Sequence, residues 1–217
     1  MDLEDVWRLR EEDVYPGLFG TVGRGIFTLT QELFDRQFGQ RDVDPRWLFH
    51  GIFEFPPTPD RQSWIYVTSG YSNPWEVDEQ DYDPVGISGA GVEFIMAVTQ
   101  QGDWAIQTLQ SILAFDLLLG AGRFANGRCL EFQDRIPLRR PINGSPDCEV
   151  RNLVVSEREE GAPHFQLPSG KVTFMAFTGV TDNELVFAKE HGSPALLERL
   201  RAIGAHPITD PHRRSAI

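Results

Sequence analysis

The chain is poor in cysteine. It has two, Cys129 and Cys148, and neither sits in a CxxC pair or beside a histidine at ligand spacing. That excludes a cysteine-based zinc site and argues against a disulfide scaffold. No apolar run approaches the ~20 residues that span a bilayer, so no membrane partner is expected. The start, Met1-Asp2-Leu3-Glu4-Asp5, is acidic where a secretory leader is basic and then apolar. A cytoplasmic protein with reduced thiols is therefore expected. Basic residues are in deficit as well: 20 Lys and Arg stand against 32 Asp and Glu, a formal net charge of −12. Such a charge disfavours phosphate backbones and argues against nucleic acid as a partner. It would draw a basic protein or peptide inward, although solubility alone also accounts for it. There is no internal repeat, heptad run or low-complexity segment.

What is present suits one domain. A chain of 217 residues buries roughly 70% of the surface its unfolded form exposes, so it needs no disulfide or metal staple. Hydrophobic content of 41% and charged content of 24% are ordinary, and aromatics are plentiful, with five Trp and 15 Phe.

Asp2 to Val14 reads as an amphipathic helix with Leu3, Val6, Trp7 and Val14 on one stripe, stopped by Pro16-Gly17. A short helix is expected at Thr30 to Gln37. Trp47 to Phe55 alternates as a strand, and Ser63 to Ser69 is its hairpin-like partner. Gly86 to Gly91 reads as flexible and Gly91 to Thr99 as a third strand. Asp103 looks like the N-cap of a long helix, Trp104 to Leu119, with Ile106, Leu109, Leu113 and Leu117 on its buried stripe. Arg128 to Phe132, Val150 to Val155 and Lys171 to Thr178 are further strand candidates. Thr181-Asp182-Asn183-Glu184 is a capping box opening a helix to about His191. Ser193-Pro194 opens the last helix, and the tail from His206 could end as a strand. Strands and helices intermix without strict alternation. The expected fold is therefore α+β: a single domain with a mixed β-sheet and packed helices. Residues 1–45 are expected to be an N-terminal helical segment of the same globule, and 46–217 the main domain.

The chemical motifs thin out on inspection. Gly86-Ile87-Ser88-Gly89-Ala90 approaches a G-x-S-x-G elbow, but Ala90 stands at the last glycine, and a strand follows where a helix belongs. Gly20 to Gly25 lacks the G-K-[ST] ending of a phosphate loop. The five histidines show no i, i+4 pair and no H-E-x-x-H. His50 and Glu54 share the face of an expected strand and read as a hydrogen-bonded structural pair. No catalytic residue, metal site or cofactor is expected, and the chain does not read as an enzyme. The loop from Asn73 to Pro84 carries Glu76, Asp78, Glu79, Asp81 and Asp83 with no intervening Lys or Arg, flanked by Trp75 and Tyr82. It lacks the order of a calcium loop, since Pro84 follows Asp81-Tyr82-Asp83. A solvated charge cluster and a docking surface for a basic partner both fit. The aromatics speak for the second, because Trp and Tyr are enriched at binding hot spots.

Three phrases in fixed order carry a resemblance. They are Trp64-Ile65-Tyr66-Val67-Thr68-Ser69-Gly70-Tyr71-Ser72, then Ser88-Gly89-Ala90-Gly91-Val92-Glu93-Phe94-Ile95, then Leu167 to Phe174 running on through Thr181-Asp182-Asn183-Glu184-Leu185. Ile208-Thr209-Asp210-Pro211-His212-Arg213-Arg214-Ser215 closes the set. Together they resemble the suppressor-of-fused domain family, from about Trp47 to the C-terminus. In animal members a second domain follows, and the two clamp a short transcription-factor segment that adds as a strand. The resemblance places aromatic and acidic residues before the Ser-Gly-x-Gly strand in the partner site, here Trp75 and Asp83. Many bacterial single-domain relatives are regarded as immunity proteins that bind and silence a toxin. The chain is thus expected to resemble a bacterial single-domain member: a non-catalytic binding module that neutralises a toxin or other protein client through Trp75, Glu76, Asp78, Glu79, Asp81, Tyr82 and Asp83. The alternative is an adaptor that sequesters a regulatory peptide by strand addition to its sheet edge.

Overall fold

A computed structural model describes residues 2–125 and 127–217. The chain opens with α1 (Leu3–Arg8), a π-helical turn (Leu9–Val14) and α2 (Tyr15–Phe19). Asp2 caps α1 in a capping box with Asp5. The helix does not stop at Pro16-Gly17 as its residue types suggest. Pro16 is the second residue of α2, which continues directly from the π turn, and the helical backbone runs on to Phe19. The order then runs β1 (Ile26–Thr28), α3 (Gln31–Phe38), β2 (Gly51–Phe55), β3 (Trp64–Ser69), β4 (Ile87–Val98), α4 (Asp103–Gly120), β5 (Arg135–Pro137), β6 (Val150–Glu157), β7 (His164–Leu167), β8 (Gly170–Thr181), α5 (Asp182–His191), α6 (Ser193–Ala202) and β9 (Ile208–Thr209).

The strands form one mixed nine-stranded sheet in the order β1-β2-β3-β4-β8-β6-β5, with β7 beside β8 and β9 beside β4. The centre is parallel, β4 against β8 and β9, and the remaining pairs are antiparallel. This is the expected α+β single domain. Strand alternation divides the core between the two faces. Phe94, Met96 and Val98 of β4 join Ile106, Leu109 and Leu113 of α4 in one cluster. Ile95, Ile65, Val67 and Phe174 meet Tyr15 and Phe19 of α2 in another. Each of these fully buried large side chains stabilises the fold by about 1.5–3 kcal/mol relative to exposure.

Several expectations shift at their boundaries. Trp47 to Phe49 is not strand. Asp44 accepts from the Arg46 N–H, and Pro45 opens a 3₁₀ turn over Pro45–Phe49, so β2 starts at Gly51. His50 thereby leaves the strand and does not pair with Glu54. Its Nδ1 meets the Arg46 carbonyl, while Glu54 is held by Arg24, Tyr66 and Gln101. Asp103 is the first residue of α4 rather than its cap, and its carboxylate pairs with Arg24. Arg128 to Phe132 forms no strand, because the Leu130 N–H is taken by the buried carboxylate of Asp116. The capping box at Thr181 and Glu184 forms as read. It also anchors the tail: Glu184 takes both terminal nitrogens of Arg213 at 2.6 Å and the Ala216 N–H.

Candidate functional site

The β3–β4 connection is built on a buried polar hub. The wide π turn carries Arg10 into the molecule, fully buried. Its guanidinium donates to Ser69 Oγ, Ser72 Oγ and Asn73 Oδ1, and to Glu11 on the outside. Glu93 on β4 faces it at 3.8 Å, also fully buried. That carboxylate accepts from Thr68 Oγ1, the Gly70 and Ser72 N–H groups and Ser72 Oγ. Burial pushes the Glu93 carboxyl above its ordinary range, while Arg10 and these donors pull it back. Ser88 adds a second tie. It donates to the Ser72 carbonyl and shares a 2.6 Å contact with Ser169 in the turn before β8.

Between Ile87 and Val92 the register of β4 against β8 shifts, and Ser88 to Gly91 bulge out. Gly89, at φ 55°, has no room for a side chain, since a Cβ would stand 2.5 Å from the Asn73 carbonyl oxygen. Gly170 is equally close to Ile87 and Ser88. The serines and glycines of this segment are therefore architectural. They lock the chain from Gly70 to Asn73 against β4, and Ser88 touches a carbonyl and a hydroxyl rather than a base.

Above this base lies a groove of about 310 Å³. Its lining includes the buried His50, Asn73 and Leu117, the half-buried Tyr71 and Trp75, and the exposed Val77 and Ile87. Burial pushes the His50 imidazole down to about 4, so it is neutral at physiological pH. Tyr71 donates to Asp116 at 2.5 Å, and burial raises its phenol well above the usual range. Each of these polar groups is engaged in holding structure. Among the described residues no group of three or more His, Cys, Asp or Glu could hold a metal ion, and no helix is long and apolar enough to cross a membrane.

The expected site residues fall into two sets. Trp75 and Glu76 line the groove. Trp75 packs edge-on against Trp7 at 5.7 Å and tilted against Phe49 at 6.3 Å, with the Arg46 guanidinium over its ring. Glu76 pairs with Arg46, which Asp44 also holds. Asp78, Glu79, Asp81 and Asp83 are exposed on the loop beyond, around a 3₁₀ turn at Glu79–Asp81. Asp83 accepts from the Val85 N–H. Tyr82 turns inward, half-buried against the core under α2, and burial with the nearby Glu79 and Asp2 carboxylates raises its phenol. It is not an exposed anchor.

The sequence did not single out the exposed apolar side chains. Phe49 is 59% exposed, Ile87 72% and Val85 93%. Phe49 carries an aromatic signal that an alternating strand pattern assigns to the core. Ile87 sits in a glycine-rich stretch that reads as a turn.

Comparison with known proteins gives a family and a fold. The family model described as Suppressor of fused protein (SUFU) matches residues 49–214. No match was found among curated proteins. A structure titled the Sufu-Fu complex is similar at TM-score 0.67 and 22% identity, covering 99% of this chain and 91% of that one. Drosophila Suppressor of Fused is similar at TM-score 0.60 and 22% identity over 86% of this chain, which spans 49% of the Drosophila chain. A putative SUFU homolog from Neisseria gonorrhoeae FA 1090 is similar at TM-score 0.60 and 15% identity, with 97% of each chain covered.

Proposed function

The chain belongs to the suppressor of fused family, and on that premise we propose that it is a non-catalytic protein-binding module. The groove beside Trp75 and the acidic loop beyond it are its docking surface. The observation that carries this reading is the exposed apolar lining. Val77 and Ile87 are large hydrophobics left in water on the lining of one concave site, and the exposed Phe49 packs against its Trp75; exposed apolar groupings of this kind mark interaction sites. One similar structure is of a Sufu-Fu complex, a relative held with a protein. Apolar anchors of the partner enter the groove, and Asp78, Asp81 and Asp83 steer its basic side chains. The net charge of −12 suits a basic client, and the finer reading is an immunity-type protein that neutralises a basic toxin in the cytoplasm.

Strand addition by a regulatory peptide has less support. The end strands β1 and β5 have three residues each. The Gln110 amide already takes the carbonyls of Phe27 and Thr28, and Pro137 lacks an N–H to offer on β5.

The test is association kinetics of the Asp81→Lys, Asp83→Lys double variant with the purified partner across a salt series. The reading predicts slower association and a weaker salt dependence. Unchanged kinetics would remove the loop from the site. Competition by a short linear peptide for the same partner would favour strand addition instead.

A further inference from the structure

A second hollow lies on the sheet face packed by α2. Ile65 and Ile95 are buried there, while Ala97 and Ala176 are half-buried, and these short side chains leave about 40 Å³ unfilled. Two arginines border it, Arg61 and Arg158. Arg61 is held by three backbone carbonyls, those of Ser63, Phe19 and Pro56. The guanidinium of Arg158 stands over the rings of Phe19 at 4.8 Å and Phe174 at 5.2 Å. Among the described residues it makes one hydrogen bond, from Nη1 to the Ala162 carbonyl, which leaves Nε and Nη2 with no protein partner. Among the described residues neither arginine makes an ion pair, in a chain with twelve more acidic than basic side chains.

The two cations also work against each other. Burial, and then the charge of Arg61, pushes Arg158 down to about 10, and burial lowers Arg61 as well. The carboxylates nearby do not relieve this. Glu159 lines the hollow but is committed to Arg201 at 2.5 Å and to His206 at 3.0 Å. Glu160 is exposed at the rim, attracts both arginines and bonds neither.

We infer that this hollow binds the carboxylate of a small aliphatic acid, gripped by Arg158 with its stem against Ala97, Ala176 and Phe177. A free Nε and Nη2 form the planar fork that matches a carboxylate's two oxygens. One water needs about 10–15 Å³ of such volume, so the hollow takes a carboxylate and its first carbons. Apolar walls suit a hydrocarbon stem and not a fully hydrated oxyanion. The bound anion would offset one of the two positive charges and join the sheet face to the Arg158–Ala162 loop. This inference does not depend on the protein-binding reading.

The experiment is a titration of the arginine ¹⁵N-labelled chain with butyrate, following the Nε–H resonances, with butyramide and inorganic phosphate as controls. Arg158 should shift saturably with butyrate and not with butyramide. Read at the Arg61 Nε–H, which remains in the variant, Arg158→Gln should weaken binding about tenfold or more, the loss of one charge-assisted pair of hydrogen bonds. Arg158→Lys, which keeps the charge and removes the fork, should weaken it as well. Glu160→Gln removes a competing charge and should tighten binding about threefold, a readout that survives if the arginine variants do not fold. The assignment is overturned by the absence of a saturable shift, by an equal response to butyramide, by tighter binding of phosphate than butyrate, or by unchanged binding in Arg158→Gln.

Discussion

Arg10→Met tests the buried hub most severely. The substitution keeps most of the apolar volume and removes one charge. It deletes the hydrogen bonds to Ser69, Ser72 and Asn73 and strips Glu93 of its counter-charge at 3.8 Å. Removing one partner of a buried pair costs about 3–5 kcal/mol, a large share of the ~5–15 kcal/mol that a domain has in total. For a chain of this size that is a fall in Tm of ~10 °C. The pH dependence gives a sharper signature. Burial raises Glu93 in the folded state, and Arg10 is the largest influence opposing that rise. Without Arg10 the folded carboxyl rises further, so the folded state holds its proton to higher pH than the unfolded chain does. Stability then falls as pH rises above the ordinary carboxylate range. The deficit relative to the parent chain should therefore be smaller near pH 5, where the lost hydrogen bonds to Ser69, Ser72 and Asn73 remain, and full near pH 7.5. Adding Glu93→Gln should recover about 1–3 kcal/mol of it, the coupling of two groups in contact. Urea unfolding at the two pH values measures each quantity. A deficit below about 1 kcal/mol, or one independent of pH, would refute the idea that a charged pair holds the Gly70–Asn73 chain.

Three further outcomes follow from the same structure. Gly89→Ala should destabilise by about 1–3 kcal/mol, because φ 55° and the Asn73 carbonyl both oppose a Cβ; an unchanged Tm would contradict the packing described. His50 should stay neutral until about pH 4, so stability is lost as pH falls from the ordinary imidazole range toward that value; an NMR titration of its ring placing the midpoint near 6.5 would contradict the burial. Burial alone would raise the Glu184 carboxyl, but Arg213 and the Thr181 and Ala216 N–H groups hold it below the usual range. Its stabilisation is present at neutral pH and lost as pH falls through the folded value, and Glu184→Gln should speed amide exchange at the Arg213–Ala216 tail.

How much of this was legible in the sequence depends on whether local chemistry decided the outcome. Thr181 and Glu184 sit three residues apart, so their capping box could be read directly. The α4 stripe of Ile106, Leu109 and Leu113 was equally local. Arg10 was not legible, because an arginine in an acidic amphipathic helix reads as solvent-facing. Its burial is set by acceptors around residues 69–73, some 60 positions away. Leu130 was read as strand by residue type, and a distant carboxylate, Asp116, took its N–H instead. The loop from Trp75 to Asp83 was correctly placed before the Ser-Gly-x-Gly strand. Its internal division was not visible: nothing in the alternation of aromatic and acid says that Tyr82 turns to the core while Phe49 and Ile87 stay in water.

The central claim is that the groove lined by Trp75, Val77 and Ile87 is where this chain holds a protein. The most direct test is paired affinity capture from native lysate with the parent chain and with Ile87→Asp, an exposed change that leaves the core intact. The captured protein is then titrated against both. The account predicts one stoichiometric partner, retained by the parent chain and released from Ile87→Asp with at least a tenfold loss of affinity, about 1.4 kcal/mol. A partner held equally by both would contradict the account and move the docking surface elsewhere on the sheet.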